Sequence, residues 1–186
     1  TVEAYFSELG NRVSRVLDSV GFPYCRGNVM ASNPQWRKTL PHWRIQVNSW
    51  INQANMETLR FADIFFDFRS VYGNQNLADQ LRNQVVKEAQ QNHAFLKEMH
   101  RVQQDHGVAL GIFGNLTYEQ KDELHKGKLN LKYHGILPLV EAVRLFALRE
   151  GVVETSTLGR ISELQAGKVL SHNEEDYLSG ALSHLT

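Results

Sequence analysis

The chain has 186 residues, enough for one domain with a real core or for two small ones, and its 20 Lys and Arg balance 20 Asp and Glu. A formal net charge of zero supplies no global field for nucleic acid or an anionic membrane, so any charge-based recognition must be local. The single cysteine, Cys25, excludes an internal disulfide framework and a multi-cysteine zinc site. The opening "TVEAYFSELG" lacks the basic-then-apolar order of a signal peptide and no stretch is an apolar membrane span, so the expected location is the cytoplasm.

In chain order, Phe6, Leu9, Val13, Val16, Leu17 and Val20 recur at helical spacing, which predicts an amphipathic helix over 3–20 stopped by Gly21 and Pro23. Cys25 follows and is expected to pack as a buried or half-buried group. Asn33 before Pro34 has the form of an N-cap followed by a first-turn proline, opening a second helix over 34–53. "FADIFFDFRSVYG", residues 61–73, is rich in aromatic side chains and predicts a strand; alternation would put Asp67 and Arg69 side by side on one face. One long helix is expected from Asn76 to His106, closed by Gly107, and "GVALGIFGN" then reads as a packed connection. Thr117 with Gln120 predicts a short helix to about residue 126, Pro138 opens a helix that Gly151 stops, and Ser171 with Glu174 forms a capping box before the last helix. A single strand cannot satisfy its own backbone, so partner strands are expected outside this sequence.

Three stretches carry a resemblance: "GFPYCRGNVMASNPQWRKTLPHW", "FFDFRSVYG" and "GKLNLKYHGILPLVEAVRLFALREG". They resemble the nucleotidyltransferases of bacterial signal-transduction proteins, which commonly also carry cyclic-nucleotide-binding and CBS domains and are relatives of the PII uridylyltransferase and the glutamine synthetase adenylyltransferase. That resemblance implies a Gly-Ser signature, an Asp-x-Asp pair on neighbouring strands and a third carboxylate on a later strand. Asp67 matches the third position, as a metal ligand or base. No Gly-Ser with Asp-x-Asp precedes it, so the chain is expected to begin after the first half of the catalytic domain. The chemistry needs several carboxylates because two divalent cations bridge the nucleotide phosphates and the attacking group. Mg2+ is therefore implied for the intact protein, and this chain alone is expected to be inactive.

Around that core, Arg69 is expected to balance charge or meet phosphate, with a structural Asp67–Arg69 pair as the alternative. Arg26, Asn28, Asn33 and Arg37 surround a turn leading into a helix start, where backbone N–H groups and guanidinium groups could hold a nucleotide phosphate; a capped, solvated loop is the other reading. Lys132 belongs to the one local basic cluster, "HKGKLNLKYHG", which resembles the lysine-then-glycine segment of the transferase relatives. His93 and His100 are seven apart without carboxylates at ligand spacing, so they are expected as surface or core side chains.

The expected fold is α+β and predominantly helical: residues 1–75 end a nucleotidyltransferase-like mixed sheet, and residues 76–186 form an antiparallel helical bundle resembling nucleotidyltransferase substrate-binding domains. The resemblance implies transfer of a nucleoside monophosphate from a nucleoside triphosphate to a protein or small acceptor, governed by upstream catalytic and sensory domains. The competing expectation is a noncatalytic nucleotide-sensing or protein-interaction module. Neither membrane nor nucleic acid is an expected partner. "SHNEEDYLSGALSHLT" opens a capped helix with no clear stop, so the bundle is expected to continue past Thr186.

Overall fold

The computed structural model describes residues 1–104, 115–120 and 123–186. Among these, eight α-helices occur and no strand does, so the chain is helical where a sheet remnant was expected. The residues divide into two compact units, 1–45 and 46–186.

In the first unit, α1 spans Val2–Ser19 as the apolar spacing predicts, with Thr1 as N-cap accepting from the Ala4 N–H at 3.3 Å. Gly21, at φ +96°, turns the chain away. Gly10 allows close approach: a Cβ there would lie 2.5 Å from the Ala31 carbonyl oxygen. The apolar stripe of α1 stays open to solvent, with Phe6, Leu9, Val13, Val16, Leu17 and Val20 all exposed.

Asn33 caps as expected, but only a 3-10 turn, Pro34–Trp36, follows it, and α2 runs over Leu40–Gln53. One helix over 34–53 fails because Pro41 has no N–H for the carbonyl four residues earlier and its ring would clash there. Pro41 therefore sits in the first turn of α2, where Thr39 Oγ1 accepts from the His42 N–H at 3.5 Å. Cys25 is exposed rather than packed, on a loop that the left-handed Asn28, at φ +55°, bends tightly.

In the second unit the expected strand is replaced by α3, Met56–Phe65. Asn55 and Thr58 form a reciprocal capping box that commits the backbone to helix before the aromatic run begins. Helical spacing then buries Leu59, Ala62 and Phe66 together. Phe61 and Phe65 meet Trp50 at centroid distances of 5.8 and 5.6 Å, so the aromatic content that suggests a strand serves helix packing.

The long helix expected over 76–106 is two, α4 at Gln75–Gln91 and α5 at His93–Gln103. Asn92 breaks it, leaving helical geometry at φ −105°, ψ 85°. Its side chain accepts from the Phe95 N–H at 2.9 Å and donates to the Ile51 carbonyl at 3.4 Å. His106, Gly107 and the rest of the expected packed connection through residue 114 lie outside the described residues.

Residues 115–120 and 123–130 hold no helix; Glu119 exchanges backbone hydrogen bonds with Lys128 and Gly127, both at 2.9 Å, which closes a loop where the short helix was expected. A π-helical turn, Lys132–Ile136, leads into α6, Leu137–Glu150, which has Pro138 in its first turn and Gly151 at φ +75° as its stop. The last two helices are α7, Thr157–Ala166, and α8, His172–Leu185, the latter opened by the expected Ser171–Glu174 capping box. Helix α6 packs against α4, α5 and α7, and α7 against α8. Val85, Ala89, Phe95, Ala147, Ile161 and Leu164 are sealed in this core, each large one contributing about 1.5–3 kcal/mol of burial.

Replacing Asn92 by Ala removes both side-chain bonds at the α4–α5 break. Urea unfolding of the variant is expected to register a loss of about 1–2 kcal/mol; unchanged stability would mean that the break is held by something else.

Candidate functional site

Three arginines enter the core of the second unit from three helices: Arg82 from α4, Arg144 from α6 and Arg160 from α7, at 7, 7 and 2 % exposure. A guanidinium so far from water must be paired and hydrogen-bonded. Asp67, just beyond the C-cap of α3, supplies the common partner. Its Oδ2 accepts from Arg144 Nη2 at 2.6 Å and Nε at 3.1 Å, and its Oδ1 from Arg160 Nη2 at 2.5 Å. Asp63, four residues earlier on α3, accepts from Arg144 Nη1. Arg82 donates to the Phe66 and Phe68 carbonyls, capping α3, and its guanidinium lies 4.4 Å from the Phe68 ring centroid.

The electrostatics follow from this geometry. Burial pushes the Asp67 carboxyl up, but Arg144 and Arg160 outweigh that and hold it below its ordinary value of 3.8. Burial likewise works against the charge of Arg144, and Asp63 with Asp67 more than restores it. Arg82 is pushed down to about 10 by burial and then by the positive charge of Arg160, so it stays charged at neutral pH.

The cluster also fixes two walls of a cleft of about 450 Å³. One wall is the turn Phe68–Ser70, which follows Asp67 directly. The other is the segment Gly151–Thr155, anchored where Arg160 Nε donates to the Glu154 carbonyl at 2.8 Å. The Glu154 carboxylate folds back onto the Ser156 and Thr155 N–H groups at 2.8 and 2.6 Å, which keeps it ionised below its usual range. Arg69 stands exposed in this cleft, with Gln75, Asp79 and Glu163 also lining it.

Several expected site residues are placed differently by the structure. Asp67 does not project from a sheet beside Arg69; it turns inward to the arginines while Arg69 turns outward to the cleft. Lys132 is exposed in the π-helical turn, its Nζ 5.9 Å from the Tyr133 ring centroid, and does not line the cleft. Arg26, Asn28, Asn33 and Arg37 lie in the first unit. There Asn33 donates to the Asn28 carbonyl at 3.0 Å and accepts from the Gln35 N–H at 3.0 Å, while Arg37 Nη1 donates to the Ala31 and Ser32 carbonyls at 2.7 and 3.1 Å. These contacts close the loop on itself. Arg26 is exposed, as are His93 and His100.

Among the described residues no group of three or more His, Cys, Asp or Glu gathers to hold a metal. Asp67 does not fit Mg2+ either, because both of its oxygens already accept from guanidinium groups.

The cluster partners Arg82, Arg144 and Arg160 were not legible as site residues in the motif reading. Their signal is helical register. Arg82 shares a stripe with Val85, Val86 and Ala89, Arg144 with Ala147 and Leu148, and Arg160 with Leu164.

Fold and site thus define, in the second unit, a helical domain built around a buried arginine–carboxylate cluster, while the first unit carries an open apolar helix. The family model described as Putative nucleotidyltransferase substrate binding domain matches residues 93–186, and the one described as Putative nucleotidyltransferase matches residues 1–57. The chain belongs to this nucleotidyltransferase family. Asp63, Asp67 and Arg82 lie between the two matched stretches, Arg144 and Arg160 within the second. No curated protein and no solved structure matches the chain. No helix among the described residues is long and apolar enough to cross a membrane.

Asp67→Asn leaves two buried guanidiniums short of charge and is expected to lower stability by about 3 kcal/mol, measured by chemical denaturation. Because the folded-state pKa of Asp67 is depressed, its contribution is complete above the ordinary value of 3.8 and is lost as pH falls through the lower folded value. The wild type is therefore expected to lose stability on acidification below about pH 4 more steeply than Asp67→Asn; parallel pH profiles would contradict this assignment.

Proposed function

We propose that this chain is the acceptor-handling C-terminal part of a signal-transduction nucleotidyltransferase, and that the cleft lined by Arg69 receives the group to be modified. One observation carries the reading: the two walls of the cleft are bound to the same buried cluster, through Asp67 on one side and the Glu154 carbonyl on the other. A site whose walls share an anchor keeps its geometry, which positioning of an acceptor requires. Arg69 is the exposed guanidinium in that cleft and is suited to a carboxylate or phosphate on the acceptor.

In this reading Asp67 is a positioning residue, and the nucleoside triphosphate with its Mg2+ is held by carboxylates of the catalytic half outside this chain. The open apolar stripe of α1 supports that division, since such a stripe is stable when another apolar surface covers it. Sensory domains of the cyclic-nucleotide-binding or CBS kind would control the transfer, which takes place in the cytoplasm. A second reading, a noncatalytic nucleotide-sensing or protein-interaction module, draws support from the pairing of Asp67 with arginine instead of a metal.

The test is a labelled-nucleotide transfer assay on the intact protein with Arg69→Ala. The expected result is a fall of about tenfold or more in kcat/KM for the acceptor, from loss of one charge-assisted contact, with thermal stability unchanged. Undiminished transfer would remove the cleft from the reaction, and no transfer by the intact wild type with any nucleoside triphosphate would favour the noncatalytic module.

A further inference from the structure

A second concavity, of about 380 Å³, lies between α5 and α6 and is independent of the arginine cluster. On α5 its lining residues Leu96, Lys97, His100 and Gln103 recur at helical spacing, and on α6 Ala142, Leu145, Phe146 and Arg149 do the same. The result is a groove about 10 Å long, at 1.5 Å per residue, between two parallel stripes. Leu96, Ala142, Leu145 and Phe146 make its floor apolar, and Phe146 is 40 % exposed although the helix could have placed a polar residue there. Among the described residues, every ionisable one lining the groove is basic: Lys97, His100 and Arg149.

The volume falls within the range of small-molecule sites, which are mostly apolar with a few placed polar groups. Outside the groove the same helices carry charge, the Glu98–Arg101 pair on α5 and Glu150 on α6, so among the described residues the apolar surface of these two helices stops at the groove edge. That confinement favours a small ligand over a partner helix, which would need a longer apolar track. Arg149 already has Glu150 as a partner at 2.6 Å and lies 4.7 Å from the Phe146 ring centroid, which walls one side. Lys97 is exposed at the rim.

We infer that this groove binds an amphipathic anion, an apolar chain or ring bearing one acidic head group, with the apolar part against Phe146 and Leu145 and the head group at Lys97. This site goes beyond the transfer reaction and stands whether or not the chain takes part in it.

The test titrates the full chain with decanoate, and with decyltrimethylammonium and decanol as charge-reversed and neutral controls, followed by calorimetry and by amide chemical shifts. Decanoate is expected to bind at least about tenfold more tightly than either control, a charge-assisted preference. Ala142→Trp, which fills the groove from an exposed position, is expected to abolish binding, and Lys97→Glu at the exposed rim to weaken it about tenfold. The Lys97→Glu arm keeps the test decisive if Ala142→Trp fails to fold. No binding of decanoate, equal binding of the cationic control, or binding unaffected by these variants would overturn the site.

Discussion

The second unit depends on one carboxylate shared between two buried guanidiniums. Arg144 and Arg160 come from different helices and are almost without solvent, and Asp67 is the residue that pairs with both. A buried ion pair is poor value as a source of stability, since well-packed apolar residues of the same volume often do as well or better. What the arrangement supplies is position. Asp67 ties the end of α3 to α6 and α7, and Arg82 ties the same stretch to α4 through two carbonyls, so four helices meet at Phe66–Phe68. Both walls of the cleft inherit that rigidity.

The same constraint explains why Asp67 and Arg69, two residues apart, have opposite fates. The chain leaves α3 at Phe66, which is fully buried, and the following turn sends Asp67 inward to the arginines and Arg69 out to solvent. An aspartate fixed by two cations is a poor metal ligand and a poor base, because its lone pairs are engaged and its pKa is held down. An exposed arginine beside a rigid cleft is a good recognition group. Arg69, two residues on, keeps its guanidinium open to the cleft.

Much of the helical layout was legible in the sequence. The stripe of α1, Pro138 and Gly151 around α6, and the Ser171–Glu174 box before α8 all fold as their patterns predict, because caps, stops and helical spacing are local signals that need no tertiary partner. The run "FADIFFDFRSVYG" misled because aromatic content favours strands only when no helix start precedes it, and Asn55–Thr58 is such a start. Asn92 was also readable as a cap, yet the apolar periodicity continues across it and hides the break. For the site, the family resemblance singled out Asp67 but not its partners. Arginines on core stripes look like surface residues until three helices are brought together, and that is tertiary information. The loop at Asn28, Asn33 and Arg37 was correctly read as a turn, but only the structure shows its polar groups spent on closing it.

The central claim is that Asp67 acts through Arg160 to hold the domain together. A double-mutant cycle on Asp67→Asn and Arg160→Met, followed by chemical denaturation, measures that coupling with the individual losses subtracted. The account predicts a coupling energy of about 1–3 kcal/mol, the double variant being far more stable than the two single losses would give. Additive losses, with a coupling near zero, would mean that the two side chains act independently and that the shared anchor of the cleft does not exist.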